Sequence, residues 1–140
     1  MILWIERTLA LTIHDRQLAE HGGSSGVRDE ALLESVLARP RQLFAYGDPP
    51  PDLADLAASL AFGVARNHPF VDGNKRTAHV CYRTFIALNG GDLVASAEEK
   101  YAAMIGLAEG SIGEHDFAAW LRERIAARTG KVQEKPVRYG

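Results

Sequence analysis

One cysteine in 140 residues leaves no partner for a disulfide within the chain, so a reducing compartment is its expected setting. Nor does any apolar run approach the length of a membrane span, and no membrane partner is expected. Met1-Ile2-Leu3-Trp4-Ile5 opens apolar, but Glu6 and Arg7 follow at once and no small-residue cleavage site comes after. That is not the pattern of a signal peptide, and the expected location is the cytoplasm. A basic surplus is missing too. Sixteen Lys and Arg stand against eighteen Asp and Glu, a formal net charge of −2, which speaks against a nucleic-acid partner. Internal repeats and low-complexity tracts are lacking, and strand signals are scarce.

What is present is helical periodicity. Ile5, Leu9, Ile13 and Leu18 mark a first helix over about 5–20, stopped at Gly22-Gly23. Ala31, Leu32, Leu33, Val36 and Leu37 mark a second over about 29–39, which Pro40 is expected to end. Tyr46-Gly47-Asp48-Pro49-Pro50-Pro51 reads as a stiff surface loop. Asp52 then caps the most regular helix, with Leu53, Leu56, Ala57, Leu60, Ala61 and Val64 in an unbroken stripe. It runs to His68, where Pro69 breaks it. A second strongly apolar helix over about 74–88 carries Ala78, Cys81, Tyr82, Phe85 and Ile86 and stops at Asn89-Gly90-Gly91. Leu93-Val94-Ala95 is long enough only for an edge strand or a connector. Ser96 and Glu99 have capping-box spacing for a helix to about 109. Phe117, Trp120, Leu121 and Ile125 predict a last helix over about 114–127. The fold class is therefore all-α: one domain over 1–128 of about six helices, with a polar, disordered tail over 129–140.

The chemistry concentrates where the two best helices meet, at His68-Pro69-Phe70-Val71-Asp72-Gly73-Asn74-Lys75-Arg76. An Asp-Gly-Asn turn feeding a helix N-terminus presents unpaired N–H groups and the positive end of the helix dipole, a site for phosphate. Gly73 permits close backbone approach, and Lys75 and Arg76 add two cations on the first helical turn. Two cations there oppose the dipole unless an anion is bound, which favours a functional reading. Asp72 places a carboxylate where it would hold Mg²⁺ or orient a hydroxyl. Imidazole is the side chain best suited to taking a hydroxyl proton near neutrality, and His68 supplies one across the loop. Phe70 is expected to point inward and pin the loop. The set describes transfer of a phosphate-containing group from a nucleotide to a hydroxyl.

These residues resemble the Fic motif, His-Pro-Phe-x-Asp/Glu-Gly-Asn-Gly-Arg-x-x-Arg. Lys75 stands where that motif has its second glycine, and His79 where it has its second arginine. Both departures point to the death-on-curing (Doc) branch, whose loop ends Asn-Lys-Arg. His14-Asp15, Gly22-Gly23, Arg28-Asp29, Leu32-Leu33-Glu34 and Ala38-Arg39-Pro40 are similar to the N-terminal half of Doc proteins. The resemblance implies a Fic/Doc-type bundle with its phosphate loop between the two central helices. It implies ATP and Mg²⁺ as cofactors, His68 as catalytic base and Asp72 as metal ligand or hydroxyl-orienting group. Gly73, Asn74, Lys75 and Arg76 would hold the phosphates. Doc-type toxins transfer the γ-phosphate of ATP to a protein hydroxyl, with elongation factor Tu as the known kind of target. An antitoxin protein restrains them in trans. The inhibitory Ser/Thr-x-x-x-Glu-Gly/Asn string of many Fic proteins is not matched here, since Ile105 precedes Glu109-Gly110 by the required interval. AMP transfer of the Fic type is the first alternative, and a non-catalytic interaction module the second.

Plainer roles exist for each residue. His68 would cap a helix end, Asp72 would serve a turn, and Lys75 and Arg76 would form a solvated basic face. His14, His21 and His115 read as surface or locally bonded residues, His79 as structural or peripheral, and Cys81 as inert core. Arg66 is open between facing the site and not. A P-loop is excluded, because Gly73-Asn74-Lys75 lacks the upstream glycine and follows a helix rather than a strand. The spacing of His68, Asp72 and His79 does not match a zinc pattern.

Overall fold

Small side chains decide which helix sits at the centre. In the computed structural model, which describes residues 1–127, the third helix, α3 (Leu53–Asn67), is buried along most of its length, with Ala54, Ala57, Ala58, Ala61, Gly63 and Ala65 all in the interior. Their bareness lets neighbours approach on every side. A β-carbon at Gly63 would stand 2.9 Å from Cγ1 of Val36. Around α3 pack α2 (Glu30–Tyr46), α4 (Asn74–Leu88), α5 (Ala97–Glu109) and α6 (Glu114–Arg122), while α1 (Arg7–His21) lies against α4. The expected disordered tail lies outside the described residues. No described helix is long and apolar enough to cross a membrane.

The start of α3 is fixed twice. Asp52 and Asp55 form a reciprocal capping box, and Arg122 of α6 reaches both carboxylates, at 2.6 Å and 2.7 Å. The Ser96–Glu99 box read from the sequence caps α5 in the same way. An aromatic series closes the far side of the core, with Tyr82 on Phe117 at 5.3 Å and Phe117 on Trp120 at 5.8 Å. Cys81 lies fully buried among these side chains, and burial pushes its thiol up to about 12.

Two expectations fail. Pro40 does not end α2, which continues to Tyr46. Its ring is buried, and the turns after it are held from outside, by the Arg41–Glu6 ion pair and the edge-on contact of Phe44 with Trp4. Tertiary packing of this kind outweighs the one hydrogen bond a helical proline forfeits. The last helix stops at Arg122, and Ile125–Ala127 forms β2, antiparallel to β1 (Gly91–Leu93) with Leu93 opposite Ile125. Ile125 fits a helical stripe in sequence. Its methyl instead fills the space above Gly91, 3.2 Å from where a β-carbon would stand.

Replacing Asp52 by Ala removes the helix cap and leaves Arg122 with Asp55 alone. The expected loss of stability is about 1–2 kcal/mol, mostly from the cap because the ion pairs are part-exposed. Equilibrium urea unfolding of Asp52→Ala against wild type measures it.

Candidate active site

Two breaks in helical structure, 40 residues apart in sequence, lie side by side and build the site. The α3 helix ends on His68, whose backbone is left-handed at φ 53°, ψ 61°. For a residue with a side chain that conformation costs about 1 kcal/mol or more, so surrounding contacts must impose it. Arg28 does so. Its Nε donates to the His68 carbonyl at 2.7 Å and its Nη2 to the Asn67 carbonyl at 2.9 Å, placing a cation on the negative end of α3. The glycine-rich turn 22–28 then runs alongside residues 69–71. Arg28 N donates to Pro69 O, Val71 N to Gly26 O, and Val27 pairs with Phe70 across an isolated antiparallel bridge.

Phe70 points inward, as expected, and is 1% exposed. Burying it also buries its backbone N–H and C=O. Asn74 answers both: its Oδ1 accepts from Phe70 N and its Nδ2 donates to Phe70 O, each at 2.9 Å. Both polar atoms of that carboxamide are thereby committed to holding the loop. Its main-chain N–H stands on the first turn of α4, beside those of Lys75 and Arg76. Gly73, the N-cap of α4, has φ 74°, a value that favours glycine.

The Asp72 carboxylate is held by main-chain donors. Ser24 N donates to Oδ2 at 3.1 Å and Gly73 N to Oδ1 at 2.8 Å. Those two bonds, the Ser24 one foremost, keep its pKa below the ordinary value, with the charges of Arg76 and His14 assisting. Lone pairs remain on both oxygens for a cation. Gly23 is tightly placed here, at φ 122°, and a β-carbon on it would come within 2.8 Å of Asp72 Oδ2. Arg76 extends to Gly22 O at 3.1 Å, whereas Lys75 is exposed and makes no hydrogen bond or salt bridge among the described residues.

His68, Asp72, Gly73, Asn74, Lys75 and Arg76 all line one cleft of about 670 Å³, so the structure brings the six sequence-derived candidates together. It adds Gln17 and His21 from α1, His79 from α4, and Tyr101 and Met104 from α5. Sequence reasoning read His21 as surface or locally bonded and His79 as structural or peripheral, and it missed Gln17, Tyr101 and Met104, whose approach depends on the packing of α1 and α5 in the whole bundle. Arg66 packs on the Phe62 ring and near Gly110 and is absent from the cleft wall. His14, read as surface or locally bonded, is a correction. It is 2% exposed, stacked flat on Phe70 at 3.9 Å, and bonded through Nε2 to the Asp72 carbonyl at 2.8 Å.

His79 occupies the wall as a neutral ring. Burial above all, then the charges of Arg83 and Lys100, lowers its pKa from 6.5 to about 4. Its Nδ1 is buried without a hydrogen-bond partner among the described residues. Between those two pH values the unfolded chain binds a proton at this residue and the folded chain does not. Stability contributed by neutral His79 is therefore complete above 6.5 and is lost as pH falls towards 4. The His79→Gln variant should show a shallower decline over that range, read as urea midpoints against pH beside wild type.

Comparison with known proteins agrees with this geometry. Residues 4–86 match the profile of the Fic/DOC family. The chain is 51% identical over 75 residues to Toxin Doc of Mycolicibacterium smegmatis, a match covering 53% of this chain and 57% of that protein. It thus spans little more than half the length of that relative. It is 31% identical over 112 residues to Protein kinase doc of Escherichia phage P1, covering 80% of this chain and 87% of the phage protein. With a helical bundle that carries the His68–Asp72–Arg76 loop between its two central helices, the chain belongs to the Fic/DOC family.

Proposed function

We propose that the protein is a Doc-type toxin, a protein kinase that transfers the γ-phosphate of ATP to a Ser or Thr hydroxyl of a protein target. The observation that carries this reading is the single cleft into which His68, the Asp72 carboxylate and the open N-terminus of α4 with Lys75 and Arg76 all face. The N–H groups at the head of α4 and the Lys75 and Arg76 cations bind the phosphates. The His68 imidazole accepts the proton of the target hydroxyl as its oxygen forms the new P–O bond. The bond to the β-phosphate oxygen breaks and ADP leaves with that electron pair. Magnesium, when bound, neutralises charge on the transferred phosphate. Asp72 suits it, with both oxygens fixed by N–H donors and lone pairs to spare.

Phosphoryl transfer is preferred over AMP transfer on two grounds. Lys75 puts a long cation where the Fic motif has bare backbone. His79, neutral down to about pH 4, provides no cation where that motif has its second arginine. The names of the two relatives, a toxin and a protein kinase, support the same choice. By the Doc resemblance the target is elongation factor Tu, the setting is the cytoplasm, and an antitoxin protein provides restraint in trans. The Glu109-Gly110 pair, at the end of α5, lacks the motif for restraint in cis.

The test uses purified protein, Mg²⁺ and ATP labelled at either the α- or the γ-phosphate, offered to elongation factor Tu and to cell lysate. Label from γ alone, reduced at least about a hundredfold in His68→Ala, is the expected result. Label arriving from the α-phosphate would make the protein an AMP transferase.

A further inference from the structure

His14 is the buried polar side chain of α1 that reaches furthest in sequence, 58 residues, to the catalytic loop. We propose that it is a positioning residue for the phosphoryl-transfer loop, setting Asp72 and the head of α4 together through one peptide plane. The inference rests on the kinase reading above for its catalytic consequence, but its geometric content stands separately.

The ring touches the loop in two ways. Its face lies on Phe70 at an interplanar angle of 8°, which fixes the plane of the imidazole. Its edge presents Nε2 to the Asp72 carbonyl oxygen. A carbonyl can only accept, so Nε2 carries the proton and donates. Peptide units are planar and trans, so fixing the Asp72 carbonyl also fixes the opposite direction of the Gly73 N–H. That N–H holds Asp72 Oδ1 at 2.8 Å and stands at the N-cap of α4. One imidazole therefore governs the carboxylate and the direction in which the following N–H groups face the phosphates.

Among the described residues no other side chain donates to the Asp72 carbonyl. Asn74 fixes the peptide units around Phe70. Ser24 fixes the Asp72 carboxylate from the opposite side. The 72–73 peptide plane is held at its carbonyl by His14 and at its N–H by the Asp72 carboxylate, so His14 is its one anchor from another element. Losing that bond while keeping the stack should leave the fold intact and tilt the reacting groups by a fraction of an ångström. Misplacement of about 1 Å is enough to cost roughly a hundredfold in rate.

Two substitutions separate the bond from the packing. His14→Phe keeps a flat ring against Phe70 and removes the donor. His14→Gln places an amide N–H where Nε2 stood. With the labelled γ-phosphate assay, His14→Phe should lower kcat about 10- to 100-fold, leave the KM for ATP within about threefold, and keep a melting temperature near wild type. His14→Gln should recover most of the lost kcat. Equal impairment of both variants with lowered melting temperatures would reduce His14 to a packing residue, and wild-type kcat in His14→Phe would overturn the proposal outright. Nitrogen-detected NMR of the wild-type ring at neutral pH tests the geometry without any activity. A proton on Nε2 is expected, and a ring protonated on Nδ1 alone would sink the idea. If wild type transfers no label but the Nε2 proton is present, the kinase reading has failed and the positioning geometry has not.

Discussion

The reciprocal pair between the Asn74 side chain and the Phe70 backbone is the constraint on which the site depends. A loop that inserts an aromatic side chain into a helical core carries its own main chain inward, and that main chain has a donor and an acceptor to satisfy. Leaving either unpaired costs about 1–3 kcal/mol. Asn74 meets both from the first turn of the following helix, so loop and helix cannot shift independently. The left-handed turn at His68, the Asp72 carboxylate and the head of α4 are all placed relative to that clamp.

Around it, the charges are arranged as the proposed phosphate site requires. Lys75 and Arg76 sit on the positive end of α4, an unfavourable arrangement when the cleft holds only water. The negative group closest in sequence, Asp72, is held by the amides of Ser24 and Gly73. On the far side His79 is held neutral by burial, with the charges of Arg83 and Lys100 adding to the effect.

Much of this was legible in the sequence, and the exceptions have physical causes. Asp52 and Ser96 announced their helices because capping chemistry is local, and the inward Phe70 followed from an apolar residue in a polar loop. The continuation through Pro40 was not legible, because what sustains it is Glu6 and Trp4 from another part of the chain. Ile125 misled for the same reason: one residue fits a helical stripe and a short strand equally well, and the difference lies in Gly91. His14 shows the limit most clearly. A polar residue on a weakly amphipathic helix carries no sign that a carbonyl 58 positions away will need a donor.

Cys81 gives the molecule a further property. Its sulfur is sealed on α4, the helix whose N-terminus lines the cleft, and burial raises its thiol to about 12, so the reactive thiolate is scarce at neutral pH for reasons of both access and ionisation. Covalent labelling at this position has to wait for α4 to come away from the elements packed on it. With a single sulfhydryl in the whole sequence, the rate of that labelling becomes a clock for the opening of the very element on which the cleft is built, and any ligand that steadies the cleft will slow it.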